Sequence, residues 1–256
     1  MDKHYKTLII GSTFYGLSRL MQSPDNCLLV DKGILIGREF CDSLNEKIAF
    51  DAKLKSDFAK SFAKELKDRG YMDDEGRIYS ALAVFLFADY LSKTDYNIML
   101  GTEVLDIQKG DDGYCVILFN SQGKTIVYAE NVINTTTDAE ELSGVEYNKS
   151  INFVVHNPSD FLMENIIYNP VSGLYIYKFP VDKEDSYFEA KEKVYAFWQT
   201  NIDKLTDSRI VHIATTFAYD MPFTKKEIDT GYVQIPSCGF DNILHAIDCG
   251  WVGDAI

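Results

Sequence analysis

A chain of 256 residues can bury a sizeable core and accommodates either one domain or two closely joined ones. Its 25 Lys and Arg face 39 Asp and Glu, a net charge of −14. That balance argues against a nucleic-acid partner and an anionic membrane surface, both of which are held by cationic side chains. The longest apolar run, Ala81 to Ala88, falls well short of the ~20 residues of a membrane-spanning helix. Cysteines 27, 41, 115, 238 and 249 show no paired spacing, and His4, His156, His212 and His245 lie far apart. Reduced thiols, no metal, no secretory leader and a cytoplasmic location are therefore expected.

In chain order, Tyr5 to Ile10 reads as a buried strand running into Gly11-Ser12-Thr13-Phe14-Tyr15-Gly16, after which Leu17 to Met21 starts like a helix. Cys27 to Val30 forms a second strand ending at Asp31, and Lys32 to Arg38 is a glycine-punctuated loop. From Leu54 the apolar residues Leu54, Phe58, Phe62 and Leu66 recur at helical spacing until Gly70. Residues 78–91 are apolar almost all round and predict a buried helix, and Asn97 to Leu100 predicts a short strand. Glu103 to Gln108, Tyr114 to Phe119 and Lys124 to Tyr128, joined by glycine turns, predict an antiparallel meander. Asn131 to Thr135 reads as a further short strand leading into Thr136-Thr137-Asp138.

Residues 150–230 change character, rich in aromatics and proline with one helix near Ser186 to Thr200, and read as a smaller mixed domain. The tail turns at Pro236 to Gly239 and forms a helix from about Phe240 to Asp248, with Asp241 and Asn242 at its start and Gly250 past its end. The expected organisation is residues 1–149 with 231–256 as a dinucleotide-binding domain and 150–230 as a substrate or cap domain.

A strand, a glycine turn, a helix and a second strand tipped by a carboxylate form the unit that holds a dinucleotide. The helix N-terminus offers N–H groups and a favourable dipole to a pyrophosphate. Gly11 and Gly16 stand at the first and third positions of the G-x-G-x-x-G spacing, and Asp31 lies twenty residues after Gly11, where a ribose-binding carboxylate is expected. The middle position is Thr13. A β-branched residue there puts two heavy atoms where phosphates approach the main chain, and it resists a positive φ. An ordinary strand-to-helix turn with a solvated carboxylate at the strand end is the structural alternative.

The order of these pieces resembles the FAD-dependent oxidoreductases with a glutathione-reductase-like FAD/NAD(P)-binding fold. The likeness covers roughly residues 5–40, 95–145 and 230–256, and the stretch from Gly101-Thr102-Glu103-Val104 to Asn134-Thr135-Thr136-Thr137-Asp138 is similar to that family's passage into its A-T-G-D segment. The resemblance implies an α/β fold: a Rossmann-like domain with a parallel sheet and an antiparallel meander, plus a smaller inserted domain. It implies FAD as cofactor. Gly11, Thr13, Phe14 and Gly16 would line the pyrophosphate, Asp31 and Lys32 would face the adenosine ribose, and the Val104 backbone would meet the adenine. Thr136 and Thr137 would approach the cofactor, and Gly239, Asp241 and Asn242 would aim N–H groups at the flavin. Thr13 and Thr137 stand where the family has glycine. Two functions are consistent with this: an oxidoreductase acting on a small molecule that enters between the domains, or a flavin-free relative serving as a nucleotide-binding or partner subunit.

Other positions carry less. Cys238 precedes a helix, where a thiol is more acidic, yet no histidine is placed beside it, and a half-buried structural cysteine is the simpler reading. His245 reads as structural rather than as a catalytic base. Arg38 is either a contact to a phosphate or an acidic substrate, or a surface arginine. The acidic runs Asp73 to Glu75 and Asp138 to Glu141 read as solvated faces or helix starts.

Overall fold

The computed structural model describes residues 3–45, 53–137 and 144–253. In chain order the elements are β1 (Lys3–Ile10), α1 (Phe14–Gln22), β2 (Cys27–Asp31), α2 (Glu39–Asp42), α3 (Asp57–Asp68), α4 (Ser80–Leu91), β3 (Ile98–Leu100), β4 (Glu103–Gly110), β5 (Gly113–Asn120) and β6 (Gly123–Asn134). They continue with β7 (Asn148–His156), β8 (Ile166–Asn169), β9 (Leu174–Val181), α5 (Tyr187–Thr200), α6 (Ile202–Leu205), β10 (Arg209–Ile213), β11 (Ala218–Asp220), β12 (Lys226–Asp229), β13 (Tyr232–Gln234) and α7 (Ile243–Val252).

The first sheet has strand order β12-β13-β6-β1-β2-β3, with β13, β6, β1, β2 and β3 parallel and β4–β5 folding back on β6 as the meander. Strand alternation divides its core in two. Ile9 and Leu29 face a helical layer built from α1, α3, α4 and α7, whereas Leu8, Leu28 and Val30 face Tyr114, Val116 and Leu118 of the meander. With both faces covered, these strands read as continuous apolar runs. The fold class is thus the α/β arrangement expected, a parallel sheet carrying a meander, with a second sheet.

That second sheet is antiparallel, ordered β10-β7-β9-β8 with β11 also on β7. The aromatics of this region pack mainly on one another: Phe153, Tyr177, Phe179, Phe197 and Trp198 fill the space between the sheet and α5. Asn152 donates to the Ser43 and Leu44 carbonyls, and the Thr215 N–H donates to the Asp42 carbonyl at 2.8 Å, joining this sheet to the loop after α2. Its last strand ends at Asp220, and Lys226–Asp229 belongs to the first sheet.

Several boundaries move for identifiable reasons. β6 is one twelve-residue strand rather than two, because nothing between Tyr128 and Asn131 breaks it; its first half pairs with β5 and its whole upper part with β1. α4 is not buried all round: Phe85 is 71% exposed while Ala83, Leu86 and Phe87 face the core. The last helix begins after Asn242, whose side chain caps the Leu244 N–H, and ends at Gly253 in a left-handed conformation. Gly250 lies inside that helix, not past it; glycine is required there by packing, since a Cβ would run into the Tyr15 carbonyl. The crossing of α1 and α7 depends on that closeness, and the Ser18 hydroxyl bonds the Ile247 carbonyl across it at 2.7 Å. Asp248 of α7 accepts the Lys55 and Ser56 N–H groups and so fixes the entry to α3. Among the described residues no helix is long and apolar enough to cross a membrane, no metal-ligand cluster forms and all five cysteines are free.

Candidate functional site

β1 leads through α1 to β2 on one side and pairs with β6 on the other. A crevice therefore opens outside the carboxyl ends of β1 and β6, the place where open α/β sheets bind ligands. Two cavities meet there. One, about 340 Å³, is lined by the β1–α1 turn (Ser12, Thr13), the loop after β2, Thr136, Thr137, Ser237 and Cys238, and by Phe217 and Tyr219 from the second sheet. The other, about 270 Å³, is lined by Gly11, Thr102, Val104, Ile107 and Tyr232. Asp31, Lys32 and Thr136 border both.

The turn is held by sterics. Gly11 has φ +101°, and a Cβ there would lie 2.6 Å from Thr135 Oγ1 and 3.0 Å from the Thr136 methyl. A Cβ on Gly16 would lie 2.5 Å from the Gly11 carbonyl, so α1 can leave β1 at this angle only without one. Thr13 has φ −76° and needs no positive φ, contrary to the expectation from its β-branch. Its hydroxyl turns inward, accepting from the Gly16 N–H at 3.1 Å and donating to Thr135 Oγ1 at 2.8 Å. Thr13 is the N-cap of α1, a role to which threonine is well suited.

Asp31 is strongly engaged. It accepts from the Ser12 N–H at 2.5 Å, the Ser12 hydroxyl at 2.7 Å and the Gly33 N–H at 2.6 Å. A carboxylate has about four acceptor positions, so room for another donor remains. The loop that follows folds over the turn, with the Gly37 N–H bonded to the Ser12 carbonyl at 2.7 Å.

Glu39, the first residue of α2, belongs to no motif in the sequence. Its Oε1 accepts the Phe14 N–H at 2.7 Å, the first N–H of α1, and its Oε2 is buried without a hydrogen-bond partner. Burial is the largest influence on this carboxyl, with Asp31 and Asp42 adding repulsion, and its pKa is pushed up to about 7. Arg38 lines the same cavity but is bonded to Asp42 at 2.7 Å.

Of the residues singled out from sequence, the structure gathers Gly11, Thr13, Asp31, Lys32, Val104, Thr136 and Thr137 on the two cavities. Phe14 brings only its backbone, since its ring is buried against Phe40 and Phe87. Gly16 contributes to packing. Gly239, Asp241 and Asn242 line neither cavity. Gly239 lies against the Pro222–Thr224 backbone and Asn242 caps α7, so Ser237 and Cys238 take the place by the crevice. Thr137 Oγ1 lies 3.3 Å from Ser237 Oγ. The Cys238 thiol contacts Met221 sulfur at 3.1 Å. His245 packs edge-on to Phe240, its pKa lowered by burial. Asp138 and the run to Glu141 lie outside the described residues.

No family model and no curated protein matches the sequence. Solved structures do. A geranylgeranyl bacteriochlorophyll reductase-like protein from Thermoplasma acidophilum aligns with TM-score 0.61 and 12% identity over 99% of this chain and 77% of its own. L-proline dehydrogenase from P. horikoshii aligns with TM-score 0.62 and 12% identity over 98% and 92%. A flavoprotein/dehydrogenase from Cytophaga hutchinsonii aligns with TM-score 0.55 and 12% identity over 98% and 77%. The chain shares the overall fold of these proteins, a Rossmann-like α/β sheet joined to a second, antiparallel sheet. At this identity the likeness is one of fold, and it extends through the second sheet, where the sequence carried no resemblance.

Proposed function

We propose that this protein is an FAD-dependent oxidoreductase acting on a small molecule. The observation that carries the reading is the pair of cavities meeting at Asp31, Lys32 and Thr136, outside the carboxyl ends of β1 and β6. Their lengthwise arrangement fits an extended dinucleotide: the adenosine beside Val104 and Asp31, the isoalloxazine toward Thr137 and Phe217. At the centre, a diphosphate on α1 has to take the Phe14 N–H from Glu39. When bound, FAD supplies hydride chemistry. The chain's own contribution is to hold the adenosine through Asp31, to offer the α1 N-terminus to the phosphates once Glu39 has left it, and to bring Phe217 and Tyr219 against the substrate side. Names of the structural neighbours, a dehydrogenase and a reductase-like protein among them, support the oxidoreductase class.

The competing reading is a flavin-free relative acting as a nucleotide-binding or partner subunit. It is favoured by Glu39 on the α1 N-terminus and by the three hydrogen bonds already made to Asp31. Incubation with excess FAD followed by gel filtration separates the two. A retained flavin spectrum and a raised melting temperature are the expected result; colourless protein with an unchanged melt, at every pH from 6 to 8, overturns the oxidoreductase reading.

A further inference from the structure

The N-terminus of α1 already holds a carboxylate where the fold places the anion of its ligand. Oε1 of Glu39 takes the Phe14 N–H at 2.7 Å, a charge-assisted bond at the positive end of the helix dipole. Held this way, the carboxylate makes the same kind of contact as one phosphate oxygen. Its second oxygen, Oε2, is buried with no donor. The Glu39 backbone N–H also favours the charged form, but an ionised carboxylate with an unmatched buried oxygen is costly.

The charges around it do not relieve that cost. Asp31 at the end of β2 and Asp42 within α2 both raise its affinity for a proton. Arg38, also adjoining, is bonded to Asp42. Lys32 stands on the exposed rim of the cavity, and α1 presents the Phe14 N–H. With Asp31, Asp42 and Glu39 set against Lys32 and Arg38, this wall bears one net negative charge while Glu39 is ionised.

We propose that Glu39 gates the diphosphate subsite: its carboxylate is a resident stand-in for the ligand's anion, and a dinucleotide binds only as this side chain leaves the α1 N-terminus. The proposal rests on the dinucleotide reading given above. Two consequences follow from the geometry. Displacing an ionised carboxylate with a diphosphate leaves two anions in one low-dielectric pocket, whereas a protonated Glu39 leaves one. Binding therefore strengthens as pH falls toward 6. Removing the charge by Glu39→Gln should abolish that dependence, because the amide oxygen can still accept the Phe14 N–H without repelling phosphate.

The test is FAD titration of the full chain, followed by flavin fluorescence quenching, for wild type, Glu39→Gln and Glu39→Ala at pH 6 and pH 8. Wild type is expected to bind at least tenfold more tightly at pH 6 than at pH 8. Both variants are expected to bind at least tenfold more tightly than wild type at pH 8, with affinities that hardly change with pH. A melting curve without ligand gives a separate readout: Glu39→Gln should raise the melting temperature at pH 8 and leave it near wild type at pH 5. Equal FAD binding by wild type and both variants at each pH, or weaker binding by the variants, overturns the gate and leaves the flavoprotein reading standing. Failure of all three proteins to bind FAD at either pH overturns the flavoprotein reading and the gate with it.

Discussion

Four positions around the β1–α1 turn divide into two pairs. At Gly11 and Gly16 an added Cβ would meet the chain's own atoms, Thr135 Oγ1 in one case and the Gly11 carbonyl in the other. At Thr13 and Thr137 side chains are present and used: Thr13 caps α1, and Thr137 reaches Ser237 and the Cys238 N–H. The first pair serves the packing of helix on strand whether or not a ligand is bound. The second pair occupies places where only an approaching ligand would ask for glycine. Two retained glycines therefore report the fold, and they do not by themselves report a cofactor.

Substitution at the two glycines carries the largest expected effect. Gly16→Ala and Gly11→Ala each force a Cβ within about 2.6 Å of chain atoms, and Gly11 adds a positive φ. Overpacking and backbone strain together should cost about 3–5 kcal/mol, a large part of an ordinary domain's stability. Urea unfolding should show lost cooperativity or a sharply lowered midpoint; a near-native midpoint would mean the turn relaxes.

Glu39→Gln comes next, with the opposite sign. In the native chain this carboxyl keeps its proton to about pH 7, against 4.5 for the ordinary group. Between those values the folded state binds more protons than the unfolded one, so stability falls as pH rises through the window. The loss above pH 7 is on the order of 3 kcal/mol. Glu39→Gln should recover most of it at pH 8 and little at pH 5, measured by urea melts at each pH.

Thr13→Ala removes a helix cap and the bond to Thr135, and should cost about 1–2 kcal/mol, with Thr13→Ser near wild type. Thr13→Gly should leave FAD affinity at the wild-type level, since the hydroxyl points into the protein; a large gain would restore the threonine as the obstacle. The smallest effect belongs to Thr137→Ala. Its contacts lie at 3.3 and 3.4 Å, and the change in a thermal melt should correspond to less than about 0.5 kcal/mol.

The amino-acid pattern was sufficient for most elements of the first sheet. Apolar runs bounded by glycine placed β1, β2 and the meander, because both faces of that sheet are buried and every strand residue contributes to one core or the other. The helix expected near Ser186 to Thr200 forms as α5, and the structure adds a local reason: Ser186 and Glu189 make a reciprocal capping box within one turn. Asp31 was legible from its distance to Gly11, a spacing imposed by one strand, one helix and the next strand.

What lay beyond the sequence depended on contacts distant along the chain. Gly250 looks like a helix terminator until α1 is seen to cross α7 at that residue. Gly239 and Asn242 looked like ligand contacts, yet one packs on the Pro222–Thr224 backbone and the other caps its own helix. Glu39 is the sharpest case. Its separation of 25 residues from Phe14 follows no motif, and only the folding of the 32–38 loop over the β1–α1 turn brings its carboxylate to the α1 N-terminus. Local periodicity and turn chemistry determined which elements form. The orientation of Thr13 and the placement of Glu39 were decided by tertiary packing, because hydrogen bonds between distant segments select side-chain directions that no local pattern encodes.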